Sequence, residues 1–282
     1  MISIRLRGWA GFILLSIAFT FLLAAQAVRA ADRDRITAFL EVTGFDVALD
    51  SIALSAGDAP AMLGMSEDDF GTLWQRTADD VFDVAQMQTM ALDILEQTLS
   101  DELLSHAAEF YASDLGQRLV EVENAAHMLE DTTEKKDVGQ ALVTDWTQSG
   151  NARLGLFERM TQASGSIETS LAMHQELQVR FLLAASAAGV LPFRLDEGAL
   201  RALMKENEEE VAGLILESSL AGSAFTYRDF SDDELESYVT ALEHPQMQQV
   251  YELLAAVQFE ITVDRFEQLA FRLADLVAGE DL

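Results

Sequence analysis

The chain has 282 residues, half of them hydrophobic, no cysteine, and a formal net charge of −30. Without cysteine, thiol catalysis, thiolate metal centres, iron–sulfur clusters and disulfides are excluded. The charge opposes binding to nucleic acid, which needs Lys and Arg to displace phosphate counterions, and opposes docking on anionic lipid. It suits a solvated acidic surface or a cationic partner.

Residues 1–30 read as a secretory signal. Arg5 and Arg7 precede an apolar run from Trp9 to Ala25, and Val28 and Ala30 supply the small-residue exit before Ala31. Cleavage after Ala27 is a second option, and an uncleaved anchor is the alternative, since the run approaches the length that spans a bilayer. No later segment is apolar enough to cross a membrane, so none is expected once the signal is removed. The expectation from this leader is an exported protein.

Beyond the leader the pattern is helical throughout. The prolines number three, Pro60, Pro192 and Pro245, and no stretch alternates with period two. The first helix opens at Arg35, with Ile36, Phe39 and Val42 on one stripe, and closes at Gly44. The next begins behind Ser66, an N-cap followed by acids, and its apolar positions Phe70, Trp74 and Val81 run on through Val84, Ile94 and Leu95 as one helix. Ser100 caps a short helix whose buried face is Leu104, Ala107, Ala108 and Tyr111; the chain turns at Asp114 and a helix restarts with Leu119, Val120 and Ala126.

A charged stretch from Asp131 to Lys136 and a turn at Ser149-Gly150-Asn151 mark a boundary, with another helical turn or two between them around Val138 and Trp146. After it the earlier pattern returns. Arg153, Leu154, Phe157, Met160 and Thr161 repeat the first helix, and the stretch ends at Gly165. Gln175 to Leu191 reads as a fully buried helix ending at Gly189. Asp196 is the next N-cap, leading a helix through Leu200, Leu203, Val211 and Ile215 that weakens at Gly222. Then Ser231-Asp232-Asp233-Glu234-Leu235 repeats Ser100-Asp101-Glu102-Leu103-Leu104. Tyr238, Val239 and Leu242 follow in register with Ala107, Ala108 and Tyr111, and Pro245 stands where Asp114 stood. The prediction is an all-α protein: a tandem duplication of a helical unit, residues 31–150 and 151–282, forming one or two packed bundles with the two motif helices in contact.

The Ser-capped block resembles a bacterial family of exported proteins known as a domain of unknown function, number twenty fifty-nine. The residues that carry the resemblance are Leu99-Ser100-Asp101-Glu102 with Phe110-Tyr111-Ala112-Ser113-Asp114-Leu115-Gly116-Gln117. In the later copy they are Phe230 to Leu235 with Glu243-His244-Pro245-Gln246-Met247-Gln248. The first copy lacks the family's proline and the second its glycine. The resemblance implies a helical periplasmic protein and no activity.

Candidate chemistry is sparse. Glu102, His106 and Glu109 share one helical face, and Glu123, His127 and Glu130 another, which is the spacing that holds zinc or a pair of irons in a bundle. The duplicate replaces His106 by Ser237 and His127 by Gln258, so exposed or capping roles are the preferred reading and no cofactor is expected. Tyr227, Arg228 and Tyr238 are the candidate partner-binding residues, weighed against a role at the edge of the core. Met87, Met90, Met160 and Met173 suit either an adaptable groove or irregular packing gaps. No nucleophile elbow is present, and Asp229 to Glu234, although faintly like a calcium loop, reads better as a helix cap. The leading function is a non-enzymatic exported protein that binds a protein, peptide or envelope component; the alternative is a metal protein using the Glu/His trios, and a purely structural role is a third.

Overall fold

A computed structural model describes residues 32–280, so the expected signal segment lies outside the described residues. The chain forms helices α1 (Arg33–Thr43) and α2 (Phe45–Asp50), a 3₁₀ segment Ser51–Asp58, α3 (Ala59–Met62), a second 3₁₀ segment Glu67–Leu73, α4 (Trp74–Val81) and α5 (Val84–Thr98). There follow α6 (Asp101–Tyr111), α7 (Asp114–His127), α8 (Thr133–Ser149), α9 (Arg153–Ser164) and α10 (Ile167–Ala188). The last four are α11 (Glu197–Glu206), α12 (Glu208–Thr226), α13 (Asp232–Leu242) and α14 (Pro245–Glu280). Among the described residues there is no β-strand, and the fold is all-α.

The helix starts obey local rules. Ser100 accepts from the Leu103 amide, and Ser231 forms a full capping box with Glu234. Asp83, Ser113, Ser166 and Asp196 cap α5, α7, α10 and α11 in the same way. At Gly44 the backbone turns left-handed (φ 71°) and closes α1. That glycine is also pressed against Val120 and Asn124 of α7, where a Cβ would have no room.

Several elements depart from the periodicity. The helix expected from Phe70 through Leu95 breaks at Phe82, whose ring is buried edge-on against Phe266 with centroids 5.4 Å apart. Buried Arg265 of α14 donates to the Val81 carbonyl at 3.2 Å, satisfying a group that continued helix would have used. In the later half the break falls at Asn207, and α12 runs unbroken through Gly222. The joining segment is a 17-residue helix, not a turn or two. The stretch Gln175–Leu191 is mostly half-buried: Arg180 faces outward far enough to pair with Glu267 at 2.7 Å, so α10 has a polar flank.

The packing order is the same in both halves. Helix α1 lies on α5, α6 and α7; helix α9 lies on α12, α13 and α14. An arginine in the first turn of each of these helices grips the first aspartate of the motif helix: Arg35 pairs with Asp101, and Arg153 with Asp232 at 2.8 Å. The motif helices themselves touch. Phe110 of α6 stacks on Tyr238 of α13 with centroids 5.8 Å apart, and the Tyr111 and Tyr238 hydroxyls lie 3.4 Å apart.

The halves are not separate beads. Helix α8 packs along α12, and α14 continues past the motif to pack on α10, α4 and α5. Phe266 of α14 meets Phe82 on one side and Phe181 on the other, each at 5.4 Å. One hydrophobic core therefore runs through the whole described chain.

Candidate functional site

Four tyrosines are all the chain contains, and all four converge on Glu123. Tyr227 donates to Glu123 Oε1 at 2.7 Å and Tyr238 donates to the same oxygen at 2.9 Å. The Tyr251 hydroxyl is 3.1 Å from that of Tyr238 and hydrogen-bonds Tyr111 as well. Each phenol has one proton to donate. With two committed to Glu123, Tyr111 and Tyr251 can be satisfied only by donating along the chain towards Tyr238, so the carboxylate is the acceptor on which the network ends.

Each member is positioned by a local device. Tyr111 ends α6, where a tight corner leads into α7. A Cβ on Gly116 would come within 2.3 Å of the Phe110 carbonyl oxygen, so only glycine permits this corner. Glu123 sits three turns along α7, on the stripe of buried Leu119, Val120 and Ala126. Tyr227 ends α12, and the turn after it is held by buried Arg153, which donates to the carbonyls of Arg228 and Phe230. The capping box then sets α13 and Tyr238; Pro245 starts α14 and places Tyr251.

The environment keeps these groups neutral or strained in charge. Burial pushes the hydroxyls of Tyr111, Tyr227 and Tyr238 well above the usual phenol range, and that of Tyr251 upward too, so all four remain donors. Burial also raises the Glu123 carboxyl, and the Tyr227 and Tyr238 donors pull it back in part. His127, one turn on, is lowered by burial and then by the neighbouring charge of Lys135, whose own ammonium is lowered by burial.

Glu123 stands at the junction of two clefts. The inner one, about 430 Å³, lies between the Gly44 corner, α7, α9, α10 and α14, and is lined by all four tyrosines together with Met160, Met173 and Leu254. The outer one, about 700 Å³, lies between α7, α10 and α12. Glu123, His127, Ile215, Ser219, Ser223 and Tyr227 belong to both. Apolar walls, a fringe of hydroxyls and one carboxylate make the character of a small-molecule or peptide-end site.

The predicted metal trios are not brought together. His106 stacks on His244 with centroids 4.3 Å apart, Glu102 accepts from the Gln246 side chain at 2.7 Å, and Glu109 is exposed. Glu123 turns inward to the tyrosines, His127 faces the clefts, and Glu130 lies beyond the end of α7. Among the described residues no three His, Asp or Glu side chains are grouped to hold a metal ion. Of the partner-binding candidates, Tyr227 and Tyr238 are buried members of the network, whereas Arg228 leaves it and lies over Phe225, 4.2 Å from the ring centroid.

Glu123 is therefore neither exposed nor a cap, contrary to its sequence reading. The signal lay in the alignment that sets Ser231 on Ser100: it places Leu254, buried and facing the same cleft, against Glu123. A charged residue standing where the aligned later segment has leucine marks a private feature on an otherwise apolar stripe.

Fold and site together define an all-α protein with a carboxylate–phenol cluster at a ligand-sized cleft between its two halves. Residues 85–145 match the family described as "Uncharacterized protein conserved in bacteria (DUF2059)", which bears out the resemblance drawn from Leu99 to Gln117. Residues 231–248 lie outside that match. No curated protein and no solved structure matches the chain.

Proposed function

We propose that this is a non-enzymatic exported protein, resident in the periplasm, built from two copies of a helical unit, that binds a peptide or small envelope component in the cleft between them. The observation that carries the reading is the pair of adjoining clefts, of about 430 and 700 Å³, that meet at Glu123 and draw their walls from both halves. Among the described lining residues Glu123 is the one acid, which is too few for a two-carboxylate hydrolase. The matched Arg35–Asp101 and Arg153–Asp232 pairs, at corresponding places of the two packing schemes, support the duplication. The leader-like residues 1–30 and the family match support export in a bacterium.

The test is native mass spectrometry of the protein purified from the envelope fraction of an expressing Gram-negative host. A co-purifying species is expected on the wild type and is expected to vanish in Ser223→Trp, which fills the wall common to both clefts. Retention of the species by a folded Ser223→Trp protein, or its absence from the wild type, would refute the reading.

A further inference from the structure

Resting on the cleft reading above, we infer that the ligand presents a protonated primary amine to Glu123 and lays an apolar body along the inner cleft. The first ground is an unbalanced charge. Arg33, Arg35, Arg118, Arg153, Arg159 and Arg180 each meet a carboxylate elsewhere in the structure. Glu123 has no ion-pair partner among the described residues. No lysine or arginine lines the inner cleft, and Lys135 of the outer one is turned to the Ala126 carbonyl at 3.3 Å. Glu123 is half-buried with only neutral protein donors around it, and a bound cation would supply the counter-charge that the protein does not.

The second ground is the ring of phenols. Both hydrogen-bonded tyrosines address Oε1, which leaves Oε2 without a protein donor. Phenol oxygens gathered beside a carboxylate keep lone pairs that can accept from an ammonium group. An anion would instead face Glu123 with no cationic residue of the inner cleft to offset the repulsion.

The third ground is the shape of what lies beyond. From Glu123 the inner cleft runs over Met160, Met173, Val250 and Leu254, with the Ser164 and Ser170 hydroxyls among its lining residues. That surface takes an aliphatic body, and methionine tolerates variation in it. The acidic chain, at −30, also concentrates cations near the mouth.

The experiment uses calorimetric titration with n-octylamine, 1-octanol and sodium octanoate. A free-amine trileucine amide and its N-acetyl form show whether the amine can sit at a peptide end. The expected result is n-octylamine binding at least tenfold tighter than 1-octanol, no detectable octanoate binding, and loss of the amine preference in Glu123→Gln. Trileucine amide binding that disappears on acetylation would place the amine on a peptide, and octylamine binding alone would place it on a free amine. Equal binding of amine and alcohol by the wild type, with both lost in Ser223→Trp, would overturn the amine while leaving the cleft. Amine binding that survives Ser223→Trp would overturn the cleft itself, and no amine binding at millimolar concentration would overturn the inference outright.

Discussion

Replacing Glu123 by leucine, the residue that the later half carries at Leu254, separates the network's two roles. Leucine fits an apolar stripe but leaves the Tyr227 hydroxyl, now 2.7 Å from its acceptor, without the carboxylate that receives its proton, while Tyr238 turns its proton to Tyr251 at 3.1 Å. A buried donor left unpaired costs about 1–3 kcal/mol, and Tyr227 is only 8% exposed. That loss and the rearranged phenols, offset in part by the apolar gain, leave Glu123→Leu about 2 kcal/mol less stable than Glu123→Gln. Glutamine keeps the acceptor and discards the charge, so it is expected within about 1 kcal/mol of wild type. The difference corresponds to roughly 4–8 °C in melting temperature for a domain of this size, and urea unfolding followed by circular dichroism measures it directly.

The same pair carries a pH signature. Because burial raises the folded-state pKa of Glu123, its contribution to stability is greatest below the unfolded value, near 4.5, and is lost as pH rises through the folded value. Wild type is expected to lose ground against Glu123→Gln on going from about pH 4 to 7. A leucine variant as stable as the glutamine variant would show that the phenols find other partners and that Glu123 does not organise the network.

Further outcomes follow from the packing. Gly139→Ala places a Cβ 2.1 Å from the Ala221 carbonyl oxygen at the crossing of α8 and α12, so a net loss of about 2 kcal/mol is expected despite alanine's better helix propensity; a melting curve no lower than wild type would show that the crossing can open freely. Arg153→Met is expected to cost about 3 kcal/mol, since it frees two carbonyls of the α12–α13 turn as well as Asp232. Arg35→Met breaks a more exposed pair and is expected to cost at most about 1 kcal/mol, so equal effects would argue against the different burial of the two arginines. The Glu234 carboxyl is held down to about 2 by the Ser231 amide and hydroxyl and by Arg118. Its stabilisation is complete above the usual value of 4.5 and is lost as pH falls towards 2, so Ser231→Ala should flatten the acid limb of stability measured by urea midpoints at successive pH values.

Much of this molecule is legible residue by residue. Ser66, Ser100, Asp196 and Ser231 start helices or helical segments where their short-range chemistry says they should, and Ile36, Phe39, Leu104, Leu235 and Leu242 are buried as their spacing requires. Other features depend on contacts that no window of sequence contains. The break at Phe82 is settled by Phe266 and Arg265, far along the chain, and the length of α8 by its seat on α12. Tyr111, Tyr227, Tyr238 and Tyr251 each look like ordinary edge-of-core aromatics when taken singly.

Composition and periodicity by themselves determined an all-helical chain without thiol chemistry, strongly acidic, with a Ser-capped motif stated twice, because capping and helical stripes are decided within a few residues. Only the tertiary structure decided that Glu123 is the meeting point of four phenols and two clefts, because hydrogen-bond direction and loss of solvent depend on which distant helices close over a side chain.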